Sequence, residues 1–227
     1  MLLKKTLLIT GASNGIGFEL VKTAVLNGYK VFAISRNINN LKSLKGVVAF
    51  SVDLTDENDI KGFVDELINQ KIKLDIVINN AGSLINKPFM NTSIQDFKDI
   101  FGVNIFGVAS LLRICLPLIH KDGHVVNISS MGGVQGSAKF PGLSAYSSSK
   151  GALITLTELL AEEFKESGPS FNVLALGAVQ TEMLKSAFPG YKAKITPQRM
   201  AQYIFDFSIS GHKLFNGKLI PVSLSTP

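Results

Sequence analysis

Short apolar runs alternate with amphipathic stretches along the chain, and this alternation constrains the fold more than any other feature. Thr6–Thr10 is a compact apolar run of the kind a strand needs when both its faces are buried. Further runs follow at 31–34, 47–52, 76–78, 125–128, 172–176 and 218–222. Helical patterns lie between them. Ile16, Leu20, Val21, Ala24 and Val25 fall on one side of a helix, and Asn27-Gly28 stops it. Asp56, Glu57 and Asp59 give an acidic first turn to a helix reaching about residue 69. Ser93 caps a long helix running towards Leu118, with Pro117 weakening its last turn. Ser144 begins another, to about residue 165, and Thr196-Pro197 opens a last one with proline at its first position. Right-handed crossovers place such helices on both faces of a parallel sheet. The expectation is an α/β fold, a doubly wound parallel sheet in a three-layer α/β/α sandwich. No linker or composition break interrupts it, so residues 1–227 are expected to form one domain. Gly62 inside a helix fits least well, and the glycine-rich segment 136–142 is expected to be a loop.

Composition works by exclusion. The chain is 46% hydrophobic and 18% charged without a low-complexity tract, which rules out a disordered chain, a collagen-like fibre and a coiled coil. The apolar runs fall short of the roughly 18 residues that span a bilayer, so no membrane segment is expected. Residues 1–5 and the run after them faintly resemble a leader, but the run is too short and enters the Gly11 turn directly. A cytoplasmic protein is expected, which suits a single thiol, Cys115, read as buried rather than reactive. The net charge is +6, yet only three of the 23 basic residues are arginines: Arg36, Arg113 and Arg199. Base readout relies on arginine and no DNA-binding motif is present, so no nucleic-acid partner is expected. His120, His124 and His212 lack ligand spacing; no metal is expected, and they are read as turn or helix-end residues.

The segment Thr10-Gly11-Ala12-Ser13-Asn14-Gly15-Ile16-Gly17 lies between the first strand and the first helix. Gly11 permits a sharp turn, Gly15 lets backbone approach a ligand, and Gly17 lets the helix pack closely. A helix N-terminus offers unpaired N–H groups and partial positive charge, which suits a pyrophosphate. Phe18 stands where a Walker loop would carry lysine, so a dinucleotide is the better ligand. Gly11, Ser13, Asn14, Gly15, Ile16 and Gly17 are the candidate contacts. An NAD site carries Asp or Glu about 20 residues further on. Here no acidic residue occurs between Glu19 and Asp53, and the second strand ends in Ser35-Arg36. Ser35 can hydrogen-bond a 2′-phosphate and Arg36 can pair with it, so NADP(H) is the expected cofactor.

Several further segments carry a resemblance. They are Asp53-Leu54, Asn79-Asn80-Ala81-Gly82, Asn104, Asn127-Ile128-Ser129-Ser130, Tyr146-Ser147-Ser148-Ser149-Lys150 and 172–181. With the glycine loop, in this order and spacing, they make the chain resemble the short-chain dehydrogenase/reductase family nearly end to end. The resemblance implies a Rossmann-like sheet and an NADP(H)-dependent oxidoreductase that reduces a ketone or aldehyde to an alcohol, or the reverse. Tyr146 and Lys150, four apart on a helix, share a face. A free tyrosine titrates near 10, too high to shuttle protons readily, and a neighbouring ammonium lowers that value. By resemblance Tyr146 is the general acid, Lys150 serves the nicotinamide ribose and lowers the Tyr146 pKa, Ser130 binds the substrate oxygen, and Asn104 holds a water of the proton relay. Asp53 is then expected at the adenine amino group beside the Leu54 backbone. Asn80, Ala81 and Gly82 are expected near the adenosine ribose, and Val179 and Thr181 near the nicotinamide carboxamide.

The chain departs from the family in three places. Leu176-Gly177 replaces Pro-Gly after the sixth strand, 16 positions separate Ser130 from Tyr146, and 221–227 lacks the usual glycine pair. The segment between Thr181 and Thr196 is short, which implies a small lid and an open site. The apolar helix bearing Phe97, Phe101, Ile105, Val108, Leu111 and Leu112 is implied, with the Tyr146 helix, as the interface of a homodimer or homotetramer. Two other readings remain at this point. One is a 3-oxoacyl-carrier-protein reductase-like enzyme, which the basic surface suits. The other is a non-catalytic NADP-sensing regulator, against which the complete Asn104, Ser130, Tyr146 and Lys150 set speaks.

Overall fold

In a computed structural model of the chain, residues 5–224 are described. The start of the leader-like segment and the last three residues of the C-terminal segment lie outside them. The apolar runs form seven parallel strands: β1 (Thr6–Thr10), β2 (Lys30–Ser35), β3 (Val47–Ser51), β4 (Leu74–Asn79), β5 (Ile119–Ser130), β6 (Ser170–Leu176) and β7 (Lys218–Val222). Their order across the sheet is β3-β2-β1-β4-β5-β6-β7. The chain begins mid-sheet, winds outward to β3, returns to β4 and winds outward the other way. The reversal between β1 and β4 opens a crevice at the strand C-termini, where sheets of this kind hold ligands.

Successive side chains on a strand point to opposite faces, and both faces are covered. Leu7, Ile9, Val31, Ala33, Ile76 and Ile78 pack under α1 (Gly15–Leu26) and α8 (Pro197–Ser210), which contribute Leu20, Val21, Met200 and Ile204. Leu8, Phe32, Val77, Val125 and Phe171 pack under α3 (Glu57–Asn69), α5 (Gly107–Cys115) and α6 (Ser144–Glu163). These two cores account for strands that read as continuous apolar runs. The expected α/β/α sandwich is the fold found.

Local signals work where they were read. The Asp56 side chain accepts from Asn58 N at the start of α3, and Thr196 accepts from Arg199 N at the start of α8. Ser93 forms a capping box with Asp96 at the start of α4 (Ile94–Phe101). Gly62 lies on the open side of α3, with nothing near the position a Cβ would take.

Four expectations are corrected. The long helix after Ser93 is not continuous: α4 passes through a π turn at Gly102–Phe106 into α5, then a 3-10 turn at Leu116–Leu118. Taken together, Ile94–Leu118 is long and apolar enough by length and composition to cross a membrane, contrary to the reading of the runs one by one. Here Val108, Leu111, Leu112 and Cys115 of that stretch are buried against the sheet. Next, β5 starts at Ile119 rather than Val125, because its pairing with β4 is irregular between Leu74 and Ile76 and takes up the polar residues His120, Lys121 and Asp122. His124 is therefore neither a turn nor a helix-end residue but a fully buried strand residue. Lastly, two short helices, α2 (Asn39–Lys42) and α7 (Glu182–Ala187), have no strong sequence signal.

Candidate active site

The glycine loop closes the C-terminal end of β1. Gly11 has a positive φ of 64°, and a Cβ there would lie 2.6 Å from Ala81 Cα. A Cβ on Gly17 would strike the Gly11 carbonyl and the Asn80 amide. So α1 starts pressed against the ends of β1 and β4. Asn80 fixes that approach, its Nδ2 donating to Thr10 O at 3.1 Å and Gly11 O at 3.2 Å, while Ala81 N donates to Thr10 Oγ1 at 2.9 Å. Asn14, the N-cap of α1, does not cap it with its side chain, which donates to Ser13 Oγ at 3.3 Å. The first-turn N–H groups therefore remain for an anionic ligand. The residues present fit a dinucleotide.

Beside the loop, Ser35 Oγ donates to Ser13 Oγ at 2.9 Å and Asn40 Nδ2 donates to Ser13 O at 3.3 Å. Arg36 is exposed, lines the same cleft, and makes no salt bridge among the described residues. Asp53 Oδ1 accepts from Thr55 N at 2.9 Å and Thr55 Oγ1 at 2.8 Å. The Thr55 backbone bond leads in holding that carboxyl below its ordinary value, with the Arg36 guanidinium adding to it. Asp53 is thus both a turn-former and a cleft residue.

The far end of the cleft is set by α6. A buried chain of hydrogen bonds docks this helix on the sheet. Asn79 Nδ2 donates to Asn127 Oδ1 at 2.8 Å, Asn127 Nδ2 to Thr157 Oγ1 at 2.8 Å, and Ser129 Oγ to Lys150 O at 2.8 Å. The neighbouring Ser129 is thus a helix anchor. Ser130, at the tip of β5, accepts from Gly132 N at 3.3 Å through its hydroxyl and lines the cleft together with Tyr146. Burial raises the Tyr146 pKa above its ordinary value, and the Ser130 hydroxyl opposes that rise. The expected lowering by Lys150 is not what this geometry gives. Its Nζ donates to Ile128 O at 2.8 Å and stands 6.0 Å from the Tyr146 ring centre. Burial in turn lowers the Lys150 pKa to about 8.

Asn104 sits in the π turn, fully buried. Its Oδ1 accepts from Ser83 N at 2.7 Å, and its Nδ2 donates to Ser83 O and to Ser149 Oγ, both at 2.9 Å. The amide is committed on three sides, which leaves it tying α6 to the loop after β4. A widened turn at such a point is a frequent functional feature.

One cleft of about 850 Å³ brings these groups together. It is lined by Gly11, Ser13, Asn14, Gly15, Ile16, Ser35, Arg36, Asp53, Leu54, Asn80, Ala81, Gly82, Ser130, Tyr146, Lys150, Val179 and Thr181. Of the residues singled out in the sequence, Gly17 and Asn104 stand behind the wall. Sequence reasoning missed Leu84, Met183, Phe188 and Tyr191, which line the cleft from the loop after β4, from α7 and from the segment after it. No local pattern marks them. Gln180 was missed too. It ties the segment before α7 to the one after it: its N–H donates to Ile195 O at 2.8 Å and its Oε1 accepts from Ala193 N at 2.6 Å. Gly177 remains necessary, because a Cβ there would strike Ser223. The short segment after Thr181 holds the helix α7, which lines the cleft and is capped by Thr181 Oγ1 accepting from Leu184 N at 3.2 Å.

A nucleotide-sized cleft with a Ser-Tyr-Lys group at one end defines a dinucleotide-dependent oxidoreductase by its form. The sequence model of short-chain dehydrogenases matches residues 5–192, and the chain belongs to that family. A benzil reductase ((S)-benzoin forming) of Saccharomyces cerevisiae is 33% identical, over 80% of this chain and 74% of its own. The 3-oxoacyl-[acyl-carrier-protein] reductase FabG of Staphylococcus aureus is 29% identical, over 87% and 84%. Among solved structures, 4-hydroxyisoleucine dehydrogenase complexed with NADH superposes with a TM-score of 0.87 at 26% identity, covering 97% of both chains. ElxO with NADP bound gives 0.83 at 27%, covering 97% and 98%. The chain is an oxidoreductase of alcohols and carbonyls that uses a nicotinamide cofactor.

Proposed function

We propose that this oxidoreductase uses NADP(H) and reduces a ketone or aldehyde, with Tyr146 as the general acid. The convergence of Ser130, Tyr146 and Lys150 in the cleft that also holds the glycine loop and Arg36 carries the proposal. A carbonyl oxygen placed against both hydroxyls accepts a hydrogen bond from Ser130 and a proton from Tyr146. With its pKa raised by burial, the phenol is protonated near neutral pH, as a proton donor must be. The cofactor, when bound, supplies the hydride. Lys150, which lines the cleft, would hold the ribose of a bound cofactor, and Asn104 keeps α6 in register with the loop that carries Gly82. Ser35, Ser13 and an unpaired Arg36 support the 2′-phosphate, whereas the structural relatives include both NADH and NADP complexes. We read residues 1–227 as one cytoplasmic domain that works as a homodimer or homotetramer.

Tyr146→Phe tests the mechanism. This variant folds and binds NADPH with unchanged Kd, while turnover drops by about 10²- to 10⁴-fold, the usual share of general acid catalysis. Undiminished turnover in the variant removes Tyr146 from the mechanism.

A further inference from the structure

The substrate end of the cleft has a chemistry of its own. Its wall comes from three loops: Leu84 after β4, Phe140 and Leu143 before α6, and Met183, Phe188 and Tyr191 on and after α7. Phe140, Met183 and Tyr191 are 56%, 43% and 54% exposed, although apolar side chains of this size are usually covered. All three face the same cleft, which is where an apolar ligand would cover them.

Charge is distributed just as unevenly. Among the described residues, the charged side chains lining the cleft are Arg36, Asp53, Lys150 and Glu182. The first three belong to the cofactor side on the reading above, so Glu182 alone is left at the substrate end. It is an anion, paired with Lys185 at 2.5 Å. Lys192 and Lys194, flanking Ala193 after Tyr191, are exposed and do not line the cleft, and two other lysines nearby are engaged elsewhere. Lys139 donates to Val134 O at 2.6 Å and to Ser137 Oγ at 2.7 Å in its own loop, and Lys87 pairs with Asp96 at 2.9 Å. A carboxylate or phosphate beside the reacting carbonyl would find no cation here, and desolvating it unpaired is costly. A sugar would lose water from its hydroxyls against Phe140, Leu143 and Phe188 without replacement hydrogen bonds.

We propose that the substrate is an uncharged carbonyl compound bearing an apolar or aromatic group next to the carbonyl, gripped between Phe140 on one loop and Met183 and Tyr191 on and after α7. This rests on the carbonyl-reductase reading of the same site. The two-electron reduction would balance: the hydride pair supplied by bound NADPH, leaving as NADP+, would form the C–H bond, the carbonyl π pair would move to oxygen and take the Tyr146 proton as the O–H bond, and solvent would return a proton to Tyr146.

A matched pair of compounds isolates the charge. Methyl benzoylformate and benzoylformate share ring and ketone and differ in a neutral ester against a carboxylate. With wild-type enzyme and saturating NADPH, kcat/KM for the ester is expected to exceed that for the acid by about 100-fold or more, well beyond what a single methylene supplies. An aldose is expected to be slower than the ester. Equal or faster reduction of the acid or the sugar overturns the inference while leaving the carbonyl-reductase reading intact. NADPH binding without oxidation by any of the three overturns that reading as well. The loop grip is tested by Phe140→Ser with Tyr191→Ser, both exposed and so tolerant of change. The pair is expected to raise the ester KM by roughly fivefold or more through lost apolar contact. An unchanged KM overturns the grip.

Discussion

At the residue scale, burial and hydrogen bonding decide what each ionisable group can do. Arg36 makes no side-chain hydrogen bond or salt bridge among the described residues. A hydrogen bond to a charged group contributes about 1.5–3 kcal/mol. Arg36→Ala is therefore expected to weaken NADPH binding by about 10- to 100-fold and leave NADH binding unchanged, read by fluorescence titration. Equal loss for both nucleotides would place Arg36 elsewhere. His124 makes a different point. Its Nδ1 lies 2.9 Å from Ser208 O, and its Nε2 lies 3.0 Å from Asn172 Nδ2. Asn172 Nδ2 also donates to Phe215 O at 2.9 Å, and Asn172 Oδ1 accepts from Lys218 N at 3.0 Å. The arrangement suits a neutral imidazole with hydrogen on Nδ1, joining β5, β6, β7 and the end of α8. Burial lowers the His124 pKa to about 4. The unfolded chain takes up this proton near pH 6.5 and the folded chain does not. Stability contributed above about pH 6.5 is thus lost as pH falls towards 4, on the order of 3 kcal/mol. Urea midpoints at about pH 7 and about pH 4.5 measure this. His124→Gln, which cannot titrate, is expected to lose much less between them.

At the element scale, the glycine loop works by proximity. In Gly17→Ala the new methyl must push α1 away from the Gly11 carbonyl and Asn80. Overpacking of this kind costs about 1–3 kcal/mol. The expected outcome is a lower urea midpoint together with a higher NADPH Kd, and an unchanged Kd would mean α1 does not hold the phosphates. This is also where legibility ends. Strands buried on both faces announce themselves as apolar runs, and Asp56, Ser93 and Thr196 announce helix starts, so the sheet and its covering were readable. The Gly-rich loop, Ser130, Tyr146 and Lys150 were readable because each sits at a fixed offset from such an element. The π turn was not, since Gly102–Phe106 reads as continuous helix. The first turn of β5 was not, since His120, Lys121 and Asp122 carry no strand signal. Nor was α7, six residues long, below the length at which periodicity can be seen. The direction of the Tyr146 shift was misread because it depends on burial and on where Lys150 Nζ points, and neither is a property of spacing.

For the whole molecule, the face carrying α4, α5 and α6 is unfinished. Ile94, Phe106 and Leu159 are exposed there, and α4 packs beside α6. Apolar side chains left on neighbouring helices mark an association surface. Phe106→Glu with Leu159→Glu is expected to shift the protein to monomer in sedimentation velocity while sparing NADPH binding. An unchanged sedimentation coefficient would place the interface elsewhere. The wall of the cleft has one further consequence. Its nucleotide half is rooted in strand ends and a helix start that cannot move without disturbing the core. Its substrate half hangs from the 134–143 loop and from α7, whose end is tied to the loop after β4 by Asn86 Nδ2 donating to Ala187 O at 2.7 Å. Changes in Phe140, Met183 or Tyr191 therefore alter selectivity while the sheet below stays as it is, so a descendant of this chain can take up a new diet without learning to fold again.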